Sequence, residues 1–220
     1  MSVSPGPSIF SSISASSAGS GASDFSRSIC RLLPDSPSQA SPLADATVLC
    51  GRLHGLERLE PRQTPQETME LLSTWCTLMF DVITSQSGEV AQFSGDGLLA
   101  LFAEPQAALR AGLEVTEMLA QFNSERATVG QAPVGHGVGI ARGSVLAGTA
   151  STSRRVAYVC LGEPVLIAER LAAAYSSGGH PLLMDGPVRV GLDAASRTAT
   201  VSVSVSVPAD GEAFTMAFVR

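Results

Sequence analysis

Histidine and cysteine are the side chains that most often hold metals or attack substrates, and this chain has three of the first and four of the second. His54, His136 and His180 are widely separated and no metal-ligand spacing joins them, so structural or surface roles are expected. Cys30, Cys50, Cys76 and Cys160 form no CxxC and no Cys/His cluster. They read as buried thiols of a cytosolic protein, not as a disulfide frame or a zinc site. All 14 cationic residues are arginine. Without lysine there is no Schiff-base chemistry, no lysine general base and no P-loop with its phosphate-binding lysine.

These side chains sit in 220 residues that are 45% hydrophobic and 15% charged, enough for one globular domain with a proper core. A net charge of -6 argues against nucleic acid as a partner, because a basic face is needed to displace counterions. No apolar run approaches the ~20 residues of a membrane span. The first 30 residues lack the basic and apolar regions of a signal peptide. A cytoplasmic protein without a membrane partner is expected. Residues 1–43 include 15 serines, and Pro5, Pro7, Pro34, Pro37 and Pro42 interrupt any periodicity. That composition predicts a disordered Ser/Pro-rich tail, open to phosphorylation, followed by a domain over residues 44–220. Within the tail Phe25, Ile29, Leu32 and Leu33 fall at helical spacing, either a transient helix or a short amphipathic one that docks on the domain or on a partner.

From residue 44 onward the pattern turns regular. Ala46 to Cys50 is a short apolar run, read as a buried strand. Thr64-Pro65-Gln66-Glu67 is a capping box with proline at the first helical position. The helix it opens carries Met69, Leu72, Cys76, Phe80 and Ile83 on one stripe, with Trp75 and Met79 read as core. Gly88–Phe93 and Gly97–Phe102 flank Ser94-Gly95-Asp96, a hairpin signal. A second helix runs from near Pro105 to Phe122. Strands follow over Val134–Ala141, Ser144–Leu146 and Val156–Leu161, then a helix through Val165, Ala168, Leu171 and Ala172. Pro181–Met184 is a strand, and Thr198–Val207 with Phe214–Val219 forms a closing hairpin. Gly55, Gly95 and Gly143 are expected in tight turns. The order predicts an α+β fold, a ferredoxin-like βαββαβ core with extra C-terminal strands, its sheet mainly antiparallel with helices on one face.

Four segments in order resemble the catalytic domain of class III adenylate and guanylate cyclases. They are Thr47-Val48-Leu49-Cys50-Gly51-Arg52-Leu53-His54-Gly55-Leu56, then Gln92-Phe93-Ser94-Gly95-Asp96-Gly97-Leu98-Leu99-Ala100-Leu101-Phe102. The third is Gly137-Val138-Gly139-Ile140-Ala141-Arg142-Gly143-Ser144-Val145-Leu146-Ala147-Gly148. The fourth runs from Arg155-Val156-Ala157-Tyr158-Val159-Cys160-Leu161-Gly162 through Glu163-Pro164-Val165-Leu166-Ile167-Ala168-Glu169-Arg170-Leu171. Together they span roughly residues 44 to 193.

In that family two aspartates hold two metal ions, a lysine with an aspartate or threonine reads the purine, and an asparagine and an arginine four apart serve ribose and phosphoryl charge. The site lies at a dimer interface. Carried onto this chain, the resemblance places Arg52 where the first metal aspartate belongs and Asp96 where the second belongs. The base-reading lysine becomes Gln92, its partner Val159 and the asparagine Leu166, while the arginine remains as Arg170. Two of six roles survive, Asp96 and Arg170. Arg52 and Asp96 fall on neighbouring strands, which predicts a salt bridge in place of the metals.

The expected function is therefore a noncatalytic cyclase homology domain, a dimerising regulatory or interaction module in signalling that needs no cofactor. Its partner would be a second copy, or a cyclase-like or signalling protein. One rival is an active or residual adenylate or guanylate cyclase using Mg²⁺ or Mn²⁺, with metal on Asp96. Another is a nucleotide or small-ligand sensor that keeps Arg170, although an ordinary solvated arginine is the plainer reading of that residue.

Overall fold

A computed structural model describes residues 40–56, 64–151, 156–175, 180–206 and 213–219. The tail carrying Phe25–Leu33 and its serines lies outside them. The first strand, β1, runs Ala40–His54 and so begins four residues before the expected domain boundary. Helix α1 (Pro65–Ser85) follows, then β2 (Glu89–Ser94), β3 (Gly97–Phe102) and α2 (Pro105–Thr128). Next come β4 (Gly135–Ser151), β5 (Val156–Leu161), α3 (Glu163–Ala173) and β6 (Leu182–Met184). Two short helices, α4 (Gly186–Gly191) and α5 (Ala194–Ala199), lead to β7 (Thr200–Ser206) and β8 (Ala213–Val219).

The strands form one sheet in the order β2-β3-β1-β4-β6-β8-β7, with β5 pairing the far half of β4. The first four strands have the order of a βαββαβ core, and the other described pairings are antiparallel except β4 with β6. The α+β class and the mainly antiparallel sheet are as expected.

Local signals place the elements. Thr64 accepts from the Glu67 backbone N–H at 3.2 Å and the Glu67 carboxylate takes the Thr64 N–H at 2.7 Å, closing the capping box that starts α1. Asp185 and Asp193 cap α4 and α5 in the same manner, through Val188 N–H at 2.9 Å and Ser196 N–H at 2.7 Å. The residues expected as the start of the last hairpin, Thr198 and Ala199, are in α5 instead.

Three placements differ from expectation. First, the helices divide between the two sheet faces: α1 and α2 cover Leu49, Leu53, Leu98, Val138 and Ile140, whereas Val165, Ala168 and Ala172 of α3 pack with Val48, Cys50, Leu99 and Ala141. Glycines make room for α3, since a Cβ at Gly137 or Gly139 would run into the Ala172 and Ala168 carbonyls. Second, α1 buries Leu71, Trp75, Met79, Val82 and Ile83, while Met69 and Phe80 of the expected stripe are exposed. The helix has two apolar stripes, and its sheet contact selects the one bearing the larger side chains, Trp75 included. Third, Gly143 is not a turn: β4 runs through it unbroken, and its missing side chain leaves room for Pro164.

Candidate functional site

The first and second motifs meet where β1 lies beside β3. Register places Arg52 opposite Gly97, so Asp96 sits one residue beyond, at the hairpin turn. The Leu53 N–H donates to the Asp96 carbonyl at 2.8 Å, which ties that turn to β1. From this anchored backbone Asp96 accepts a hydrogen bond from Arg52 Nη2 at 2.9 Å, and the two side chains are 38% and 39% exposed. The expected salt bridge is present.

Burial beneath this pair sets the state of Cys50. Its thiol pKa is pushed up to about 12, first by desolvation and then by the negative charge of Glu169, with Arg52 acting in the opposite direction. The thiol is therefore protonated at neutral pH and is no nucleophile. Glu169 is a neighbour that the motif comparison did not single out; it reaches this corner because α3 packs against β1.

The donor set at this corner does not suit a divalent metal pair. Such a pair needs several oxygen ligands, and here one carboxylate is already bonded to a fixed cation. Among the described residues, no group of three or more His, Cys, Asp or Glu side chains is placed to hold a metal ion.

The remaining positions are spread over three elements. Gln92 is exposed on β2, Val159 is half-buried on β5, and Leu166 is 55% exposed on α3, one turn before the half-buried Arg170. β2 and β5 come into contact, so Gln92 and Val159 stand on adjoining strands. None of these three side chains carries a charge.

Two other arrangements were not legible beforehand. His54 and His136, expected apart, share one corner because register sets Leu53 opposite His136 and His54 opposite Gly135. The Tyr175 ring lies between them, with centroids 5.2 Å and 6.2 Å away. His54 Nε2 is 2.9 Å from the Ala172 carbonyl oxygen; a carbonyl only accepts, so Nε2 carries the proton and donates. Burial, with His54 adding to it, pulls the His136 pKa down to about 4. The second arrangement is Glu89 on β2, a lone carboxyl in an apolar run, whose pKa burial lifts to about 7 beside Cys160.

The far half of β4 presents an apolar face. Pro42, Leu146 and Leu161 stand abreast on β1, β4 and β5; Ala40, Gly148 and Val159 form the next row, and Ala150 and Ala157 the last. Leu146 is 42% and Leu161 57% exposed.

No family model matches the sequence. Among curated proteins, the chain is 26% identical over 151 residues to Adenylate cyclase 1 of Rhizobium meliloti, covering 66% of this chain and 23% of that protein. It is 26% identical over 144 residues to the adenylate cyclase of Anabaena cylindrica, covering 63% and 29% respectively. The chain thus spans about a quarter of the length of the curated relatives it matches. Among solved structures, a bacterial light-regulated adenylyl cyclase superposes with a TM-score of 0.73 at 22% identity, over 83% of this chain and 53% of that one. The guanylyl cyclase Cya2 gives 0.69 at 23% identity, over 84% and 94%. The non-canonical dimeric guanylyl cyclase domain of a fusion protein from Blastocladiella emersonii gives 0.64 at 15%, over 81% and 97%. In fold the chain matches class III adenylyl and guanylyl cyclase domains, and the curated proteins it is similar to include adenylate cyclases.

Proposed function

We propose that this domain is a noncatalytic member of that group and works by association, as a dimerising regulatory module. The observation that carries the reading is the Arg52–Asp96 ion pair: a guanidinium stands at one metal position and engages the carboxylate at the other. Losing charge stabilisation at one catalytic position typically costs ~10²–10³ in rate. Here Gln92, Val159 and Leu166 depart from the family pattern as well, so both halves of the site are incomplete.

Association is supported separately by the apolar face of β1, β4 and β5. The solvent face of an antiparallel sheet is normally polar. The dimeric state of the Blastocladiella emersonii domain points in the same direction. The partner would be a second copy, or a cyclase-like or signalling chain.

The deciding experiment incubates purified protein with Mn²⁺ and either ATP or GTP and measures cyclic nucleotide. No product above blank is expected. Product that disappears in Asp96→Ala would make the domain a working cyclase and overturn the noncatalytic reading.

A further inference from the structure

We infer that the acid-rimmed crevice between α1 and α2 is a docking groove for a cationic amphipathic helix of another protein. The groove lies in the helical layer over Leu49, Leu98 and Val138, on the sheet face opposite α3, and the inference does not rest on the noncatalytic reading.

The two helices leave an apolar crevice of about 170 Å³ between them, partly open to solvent. Trp75, Val82 and Val115 are among its lining residues and are buried, while Leu78 and Met118 line it half-buried, so solvent reaches the crevice past these two. Met118 is unbranched and can change rotamer to admit an incoming side chain.

Carboxylates surround this apolar floor. Helix α1 carries Glu67, Glu70 and Asp81 and no cation; α2 carries Glu114, Glu117 and Glu125 against Arg110 and Arg126. The pair of helices thus holds a net -4 of the chain's -6. Neither arginine neutralises the groove. Arg126 is 7% exposed, donates to the Ala132 carbonyl at 2.9 Å and lies over the Phe122 ring. Arg110 donates to Gln86 at 3.0 Å, at the end of α1. Helical spacing sets Asp81 one turn from Leu78, and Glu114 and Glu125 one and two turns from Met118 on either side. All of these carboxylates are exposed except Glu114, which is half-buried.

That pattern selects the occupant. Nucleic acid and anionic membranes are repelled by it. A second copy offers no match, because among the described helices α1 and α2 are themselves acidic, α3 sets Glu163 and Glu169 against one arginine, and α4 and α5 have six residues each. A helix with an apolar stripe and flanking arginines or lysines fits both the crevice and its rim. From Glu114 to Glu125 the groove runs about 16 Å, three turns of such a helix.

The test uses the full chain and a synthetic peptide of about 14 residues, with leucine at i, i+3, i+4 and i+7 and arginine on the other face. Trp75 is the chain's one tryptophan and lines the crevice, so its emission reports occupancy. The peptide should shift that emission with micromolar affinity, tenfold or more weaker when salt rises from about 50 to about 500 mM. D81N/E117Q/E125Q, which alters exposed side chains only, should weaken binding at least tenfold with an unchanged melting temperature. M118R should weaken it as much, whereas L146E/L161E should leave it unchanged.

No shift in Trp75 emission overturns the proposal. So does equal binding of a peptide with the same arginines and serine in place of leucine, because charge alone is then being read. Binding that survives both D81N/E117Q/E125Q and M118R, or that L146E/L161E abolishes, places the peptide elsewhere and overturns it too.

Discussion

Arg52 and Asp96 form their ion pair from positions one residue out of register across β1 and β3, at 2.9 Å, with the Leu53 N–H holding the Asp96 backbone in place. Where the family resemblance leads one to expect two metal-binding carboxylates, this chain has a cation bonded to a carboxylate. Both side chains are more than a third exposed, so solvent screens the pair and its stabilising value is about 0–1 kcal/mol. A double-mutant cycle with Arg52→Ala and Asp96→Ala, read by urea unfolding, should give a coupling within that range. A coupling well above 1 kcal/mol would show that the pair is a structural element of the fold.

Reversing the charge separates the two readings of this corner more sharply. Arg52→Asp places two carboxylates side by side and should lower the melting temperature in chelator. Mn²⁺ should then restore it in the variant and leave the wild type unmoved. Equal Mn²⁺ responses in both proteins would mean that Arg52 does not block metal binding.

The pair could be anticipated because the motifs name both residues and their strands are neighbours in any βαββαβ core. The capping box at Thr64 and the hairpin at Ser94-Gly95-Asp96 were legible for a related reason: each is built from residues close in sequence. What depended on distant packing was not legible. Periodicity alone does not tell which of two apolar stripes on α1 faces the sheet, since Met69, Leu72, Cys76 and Phe80 recur as regularly as Leu71, Trp75, Met79 and Val82. In the sequence Gly143 resembles a turn, where glycine is common, whereas in the structure it makes room for Pro164 inside a long strand. The meeting of His54 with His136 follows from register alone, which a single sequence does not print.

The stripe on α1 gives a direct check on packing. Met79 is 1% exposed and Met69 60%. Met79→Ala should cost about 2–5 kcal/mol, the usual range for emptying a buried site. Met69→Ala should stay within about 0.5 kcal/mol, as surface substitutions do. Chemical denaturation of the two variants decides it, and similar costs would mean that Met69 faces a partner in solution.

Gly139 tests how α3 is seated. A side chain there meets the Ala168 carbonyl and the Leu171 Cβ, which are backbone and near-backbone atoms unable to swing aside. Gly139→Ala should therefore destabilise by about 1–3 kcal/mol, as overpacking does. The same substitution at Gly95, where a Cβ meets nothing within 4 Å, should be far milder. Thermal melts followed by circular dichroism compare them.

Two titrating groups, the buried His136 and the half-buried Glu89, should bend the pH dependence of stability in opposite directions. His136 has its folded pKa lowered to about 4, from 6.5. As pH falls below 6.5 the unfolded chain takes up a proton that the folded one refuses, so stability drops until about pH 4, by about 3 kcal/mol in all. Glu89 behaves oppositely: its folded pKa is raised to about 7 from 4.5, so the folded state loses stability as pH rises through that window. His136→Gln should flatten the acid-side fall between pH 6.5 and 4. Glu89→Gln should gain stability relative to wild type at pH 8, and the gain should vanish near pH 4.5. Urea unfolding of both variants and the wild type across pH 4 to 8 reads the two effects separately. A His136→Gln curve parallel to wild type over the acid range would mean that His136 protonates freely in the fold, and that its ring is not held dry against Tyr175.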